Sequence, residues 1–190
     1  MVVDYLRERF RARLFMPLAL IIAAGASGMA GTWAGYALDA VFALLLLAQF
    51  RVWDDLADRA RDTVAHPARV LVRATTVTQV VAFCGALAVL NICLAVWHDA
   101  TGIAVAVVAA LDAALGAWYL ARTTRTAAGE HLLLAKYPAM VVIVAGARVF
   151  DAPIQILFAA AVLYLLVCAY EAWHDPASPI ARRLSVGGHS

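Results

Sequence analysis

Six long apolar runs divide the chain, at residues 14–30, 32–50, 76–97, 103–120, 131–147 and 154–173. Each holds about 17 to 22 residues. At a rise of about 1.5 Å per residue, a helix of that length crosses the roughly 30 Å hydrocarbon core of a bilayer. The pattern predicts an all-α polytopic membrane protein of about six spans, built as one domain over residues 1–190. Between the runs the polar residues alternate in kind. Residues 4–13 carry Arg7, Arg9, Arg11 and Arg13 and read as an amphipathic lead-in. A charged connection follows at 51–73, a short turn at 98–102, a second charged connection at 121–130, another turn at 148–153, and a tail at 174–190. The first run, with Arg before it and small residues after it, has the outline of a signal peptide. A span is the better assignment, because the remaining topology requires it.

Composition agrees with that division. The chain is 65% hydrophobic with a mean hydropathy of +0.83, where soluble domains run closer to half apolar. Its net charge of +2 is too small for a nucleic-acid partner, and no basic aromatic-rich face suggests one. Cys84, Cys93 and Cys168 all lie inside apolar runs without zinc-type spacing, and read as small packing residues. Arg and Lys fall mainly in the lead-in, the two charged connections and the tail, whereas the opposite loops hold only Arg148. By the positive-inside rule both termini and both charged connections face the cytosol. This suits an integral protein of a bacterial-type inner membrane. Trp33, Trp53, Trp97, Trp118 and Trp173 fall near span ends, as interfacial aromatics do. Small residues such as those of 23–28 read as close helix packing.

One polar stretch carries candidate chemistry. In Arg51-Val-Trp-Asp-Asp-Leu-Ala-Asp-Arg-Ala-Arg-Asp62 four carboxylates, Asp54, Asp55, Asp58 and Asp62, end the second run. On a helix they fall within an arc of about 100° and span roughly 10 Å. Like charges on one face repel, so the cluster is favourable with a multiply positive guest such as Mg²⁺, which takes a few carboxylates and completes its shell with water and phosphate. The competing account is a solvated helix laced with salt bridges to Arg51, Arg59 and Arg61.

The stretch Asp54-Asp-Leu-Ala-Asp-Arg-Ala-Arg-Asp62 resembles the first aspartate motif of the UbiA-type intramembrane prenyltransferases, Asn/Asp-Asp-x-x-Asp-x-x-x-Asp at the cytosolic end of the second membrane helix. Asp54 stands in the place usually held by Asn, and Asp55, Asp58 and Asp62 fall on the family aspartates. The family has a second Asp-x-x-x-Asp motif after its sixth helix. Glu171-x-x-x-Asp175 stands there, with Glu replacing the first Asp. The resemblance implies that Asp54, Asp55, Asp58, Asp62, Glu171 and Asp175 hold Mg²⁺. It also implies that Arg69, Lys136 and Tyr137 meet a prenyl diphosphate, and that Asp55, Asp58, Asp62 and Lys136 carry the chemistry. Lys136 could equally be a snorkelling lysine beside an interfacial Tyr137. A rival family with a membrane Asp cluster, the CDP-alcohol phosphotransferases, requires Asp-Gly-x-x-Ala-Arg. Here no glycine occurs between Gly35 and Gly85.

The expected function is Mg²⁺-dependent transfer of a polyprenyl group from its diphosphate, or a related reaction of a polyprenyl lipid such as cyclisation. The alternative is a non-catalytic membrane subunit or scaffold that retains the motif. The family fold has nine spans, so the resemblance covers a bundle without the last three or so, which a homodimer could complete. A catalyst should gather the 54–62 and 171–175 carboxylates around an open cavity. A scaffold should pair them with Arg51, Arg59, Arg61 or Arg69, with no cavity behind. Asp39 and Asp112 sit inside apolar runs, where ionisable groups are costly. Asp39 could lie at an interface, and Gln79 and Asn91 could bond between helices.

Overall fold

A computed structural model describes residues 1–28, 32–124 and 126–186, with side chains as far as 182. The end of the first predicted span, at Ala30, and Arg125 of the second charged connection lie outside the described residues. Eleven helices occur among the described residues, and no strand. They are α1 (Val2–Arg9), α2 (Ala12–Ser27), α3 (Trp33–Ala57), α4 (Arg59–Ala65), α5 (Val70–Arg73), α6 (Thr78–His98), α7 (Ile103–Ala121), α8 (Ala127–Ala145), α9 (Arg148–Asp151), α10 (Pro153–His174) and α11 (Pro179–Val186).

Five of these, α3, α6, α7, α8 and α10, are long and apolar enough to cross a membrane. The pair α1 and α2, bent by 77° between Arg9 and Ala12, supplies a sixth when taken as one broken span. The chain is an integral membrane protein with the span number its hydropathy predicts. The boundaries differ most at two places. The second span continues through Trp53, Asp54 and Asp55 to Ala57, so the motif begins inside the helix and not in a loop. The fifth begins at Ala127, four residues before the apolar run, because Thr126 caps it: its Oγ1 accepts from the Gly129 amide at 3.1 Å.

Helix α8 is the centre of the bundle and touches α2, α3, α7 and α10. Its inner face supplies Met140, Val141, Ile143 and Val144 to a core shared with Ile22 of α2, Leu46 and Phe50 of α3, Val108 and Leu115 of α7, and Ile156 of α10. Close approach depends on small residues, as packing without a hydrophobic drive between helices requires. A Cβ on Gly25 of α2 would come within 3.0 Å of Ala159 Cβ on α10. A second cluster of Tyr5, Val52, Leu71, Val80 and Leu87 seats α1 and α5 against α3 and α6.

The two intramembrane aspartates are accounted for differently. Asp39 is fully buried within the protein. Arg148 Nη1 lies 2.8 Å from its Oδ2, His98 Nε2 3.3 Å from its Oδ1, and Ser27 Oγ donates to it. This network ties α2, α3, α6 and α9 at the end of the bundle opposite the aspartate motif. Asp112 accepts from Gln49 Nε2 at 3.0 Å. Asn91 bonds between helices as its type suggests, to the Leu45 carbonyl and Gln49 Oε1. Gln79 is exposed at the start of α6.

Candidate functional site

The motif does not present one carboxylate face. Helix α3 stops at Ala57, Asp58 joins it to α4 with φ −90° and ψ −2°, and α4 runs only to Ala65 before His66 and Pro67 end it. The four aspartates are distributed by that break. Asp54, Asp58 and Asp62 line a cavity of about 400 Å³ at the charged end of the bundle, and Glu171 of α10 lines it from across the bundle. Asp55 points away from it and is 6% exposed. It accepts from Tyr5 Oη at 2.8 Å and from Arg9 through both Nε (3.0 Å) and Nη2 (2.8 Å), and it pairs with Arg51 at 3.1 Å. Its i−4 neighbour is therefore its partner. The i+4 residue, Arg59, instead donates to the carbonyls of Leu71 and Ala74.

Each aspartate on the cavity has a cation. Asp54 accepts from Lys136 Nζ and from Tyr119 Oη. Lys136, at the midpoint of α8, is nearly fully buried, which does not fit a snorkelling lysine. Asp58 pairs with Arg122 at 2.8 Å and more loosely with Arg61 at 3.5 Å. Asp62 pairs with Arg69, which lies outside the cavity lining. Tyr137 lines the cavity, with Lys136 Nζ 5.6 Å from its ring centre. Helix α10 ends at His174, and Asp175, at φ −123° and ψ 83°, leaves the helical conformation just before Pro176, its amide still donating to the Glu171 carbonyl at 2.9 Å. Its Oδ1 accepts from the Ala177 amide at 3.2 Å and Asp175 is absent from the cavity wall.

The cavity also holds donors. Among the described residues, the Nε of Arg51 and the Nε1 of Trp118 are buried without an acceptor, and both residues line it. A buried donor left unmade costs about 1–3 kcal/mol, which an anionic guest would relieve. Pro138 contributes too. Lacking an N–H, it deprives the Leu134 carbonyl of its helical partner, and Leu134 lies in the cavity wall. The arrangement combines both signatures that distinguish a catalyst from a scaffold. The carboxylates are paired with arginines and a lysine, and an open cavity lies among them.

Several residues of the site carry no clear sequence signal. Arg122 reads as one of several loop charges, and Tyr119 and Trp118 as interfacial aromatics. Tyr5 and Arg9 lie some fifty residues before the carboxylate they hold.

No protein-family model and no curated protein sequence matches the chain. A solved structure does. That of a digeranylgeranylglyceryl phosphate synthase, a membrane prenyltransferase of the UbiA type, superposes with a TM-score of 0.67 at 15% identity. The match covers 90% of this chain and 62% of the synthase. The chain thus has the UbiA-type helical fold and spans less than two thirds of that structure's length.

Proposed function

We propose that the protein binds a polyprenyl diphosphate with Mg²⁺ at the charged cavity and transfers its prenyl group. The observation that carries this reading is the cavity itself. Asp54, Asp58, Asp62 and Glu171 meet Lys136, Arg122 and Arg61 there, at one end of a UbiA-type bundle. Oxygen donors suit a hard divalent cation, which needs only one or two carboxylates when phosphate and water complete its shell. Among the described residues no three His, Cys, Asp or Glu side chains close on one point, so the set suits a cation shared with substrate and not one caged by protein alone.

In the transfer, the bond from prenyl C1 to the diphosphate oxygen breaks and its electron pair leaves with the diphosphate. The acceptor's nucleophile then bonds C1 and releases its proton. One or two of the cavity carboxylates Asp58, Asp62 and Glu171 would hold Mg²⁺, which would supply positive charge to the departing diphosphate. Lys136, Arg122 and Arg61 donate to the phosphate oxygens, with the unpaired Arg51 Nε and Trp118 Nε1 as further donors. Fixed donors aimed at the departing group stabilise its charge strongly. Asp54 and Tyr119 hold Lys136 in place, Arg69 holds Asp62, and Asp55 is a positioning residue that locks the end of α3 to α1. Asp175 shapes the turn after α10. The cavity opens to the cytosol, and both termini lie on that side of a bacterial-type inner membrane.

The test is binding of a non-hydrolysable prenyl diphosphate analogue to purified protein, with and without Mg²⁺. We expect Mg²⁺ to tighten binding at least tenfold and Asp58→Asn to abolish that gain. Binding indifferent to both metal and substitution would leave the cluster as a structural charge network.

A further inference from the structure

A second cavity, of about 520 Å³, lies on the flank of the bundle between α3, α6 and α7. Helices α6 and α7 are joined by a short turn at 99–102. Residues from the first half of α6 (Val81, Cys84, Ala88) and the second half of α7 (Asp112, Leu120) form facing walls of the groove. The two helices therefore stand apart toward the charged end. Val81 and Leu120 are exposed at the rim. Nothing lies within 4 Å of the position a Cβ would take on Gly85, which forms part of the wall. The walls are apolar except at the depth of the groove, where Asp112 and Gln49 stand.

The polar spine at that depth has a fixed direction. The Leu45 carbonyl can only accept, so Asn91 must present its amide nitrogen there, at 3.2 Å. The same nitrogen donates to Gln49 Oε1 at 2.7 Å. Gln49 must then turn its own nitrogen to Asp112 Oδ1, at 3.0 Å. Asp112 is thereby held as an acceptor at one oxygen, and its second oxygen has no partner among the described residues. No cation pairs with it there either, in contrast with every aspartate of the charged cavity. If ionised, the carboxyl lacks a second donor in an apolar groove. If protonated, its hydroxyl lacks an acceptor among the described residues, because Gln49 turns its nitrogen and not its oxygen to Asp112. Either state leaves a hydrogen bond unmade at membrane depth, which is costly.

A hydroxyl group both donates and accepts, so it completes either state. Asp112 is the tenth residue of the nineteen in α7, about 14 Å along the axis from its charged end. That is near the middle of the hydrocarbon, below the reach of phospholipid headgroups. The hydroxyl must therefore be carried by an uncharged molecule dissolved in the membrane interior. We infer that the α3–α6–α7 groove binds an uncharged, lipid-soluble alcohol, whose hydroxyl bonds Asp112 and whose apolar body lies along Leu56, Val81, Ala88 and Leu120. The groove abuts the charged cavity. Trp53 and Tyr119, with ring centres 5.6 Å apart, form its end wall, and Tyr119 reaches through to Asp54. The inference does not depend on the role proposed for that cavity.

The test uses a long-chain alcohol bearing a photoreactive diazirine, and the matching hydrocarbon, with hydrogen in place of the hydroxyl, as the probe without a polar group. Both are presented to the purified protein in phosphatidylcholine nanodiscs, and labelled peptides are located by mass spectrometry. The alcohol should label the 81–88 and 112–120 segments at least tenfold more than the hydrocarbon, with competition by unlabelled alcohol. Gly85→Leu fills open space in the wall, and should remove this labelling while the unfolding temperature holds. Asp112→Ala should lower it to the hydrocarbon's level, and Asp112→Asn, whose amide nitrogen can donate to the hydroxyl oxygen, should retain it. Equal labelling by hydrocarbon and alcohol, or wild-type labelling in Asp112→Ala or Gly85→Leu, would overturn the proposal and make the groove a place for ordinary lipid chains. No diphosphate or Mg²⁺ enters the readout, so this result and the binding test of the charged cavity fail or succeed separately.

Discussion

Lys136 and Asp54 show how much a single pair decides. The ammonium is buried and reaches one carboxylate, which Tyr119 secures from the other side. Removing one member of a buried pair strands the other, at a cost of about 3 kcal/mol or more, while removing both costs far less. Lys136→Met should therefore lower unfolding stability by roughly 3 kcal/mol, and Asp54→Asn in the same chain should restore a large part of it. Thermal unfolding of the two single variants and the double variant in detergent measures the coupling; additive losses would show that the pair is not acting as one unit. Gly129 is a second such position. A Cβ there would fall 1.8 Å from Trp118 Cζ2, in the wall of the charged cavity. Gly129→Ala must push the indole aside, with an overpacking cost of about 1–3 kcal/mol and displacement of the Trp118 donor. We expect weakened binding of a prenyl diphosphate analogue from this one added methyl, read by the same titration as for the wild type. Unchanged affinity and unfolding temperature would mean that the ring moves freely.

At the scale of elements, the turn between α6 and α7 is a local construction. Asp99 is buried, and it accepts from the Thr101 amide (2.9 Å) and hydroxyl (2.6 Å) and from the Ala104 amide (2.8 Å). Burial pushes its carboxyl up, but these donors outweigh it and hold the group below the ordinary carboxylate value. A carboxyl depressed in the folded state stabilises above its unfolded value of about 3.9, and that contribution is lost as pH falls through the folded value. Asp99→Asn keeps one acceptor oxygen where the wild type uses two, so it should cost about 1 kcal/mol near neutrality. The gap from wild type should close as the pH drops below about 4; a gap constant from pH 6 to 3 would contradict a charged Asp99 at the turn. The membrane helices were legible in the sequence because a bilayer demands about 20 apolar residues of each. The identity of the cavity's carboxylates was legible only in part. Spacing placed Asp54, Asp58 and Asp62 together but could not show that the helix breaks at Asp58, nor that Asp55 is held by α1. Those facts depend on Tyr5 and Arg9, whose partners are set by tertiary packing and leave no local pattern. Glu171, near the end of the sixth run, lines the cavity, and Asp175, just past the end of α10 and followed by Pro176, does not.

At the scale of the whole molecule, the charge distribution and the packing agree on one axis. Helix α1 is seated against the motif through Tyr5 and Arg9, and α11 against the start of α8, where the Ile180 amide donates to Glu130 Oε2 at 3.2 Å. Both described ends of the chain thus lie beside the charged cavity. The opposite end is closed by the Asp39, His98 and Arg148 network and the Asp99 turn. With Arg and Lys concentrated at the cavity end, the positive-inside rule directs that end to the cytosol. The orientation can be measured by labelling with a membrane-impermeant maleimide. The native Cys84, Cys93 and Cys168 all lie within predicted spans and are replaced first by alanine. Thr101 and Ala177 are exposed at opposite ends of the bundle, so Thr101→Cys and Ala177→Cys each report one side. In intact spheroplasts Thr101→Cys should label and Ala177→Cys should label only after the membrane is opened. The reverse pattern would turn the charged cavity outward, and a diphosphate substrate would then have to arrive from outside the cell.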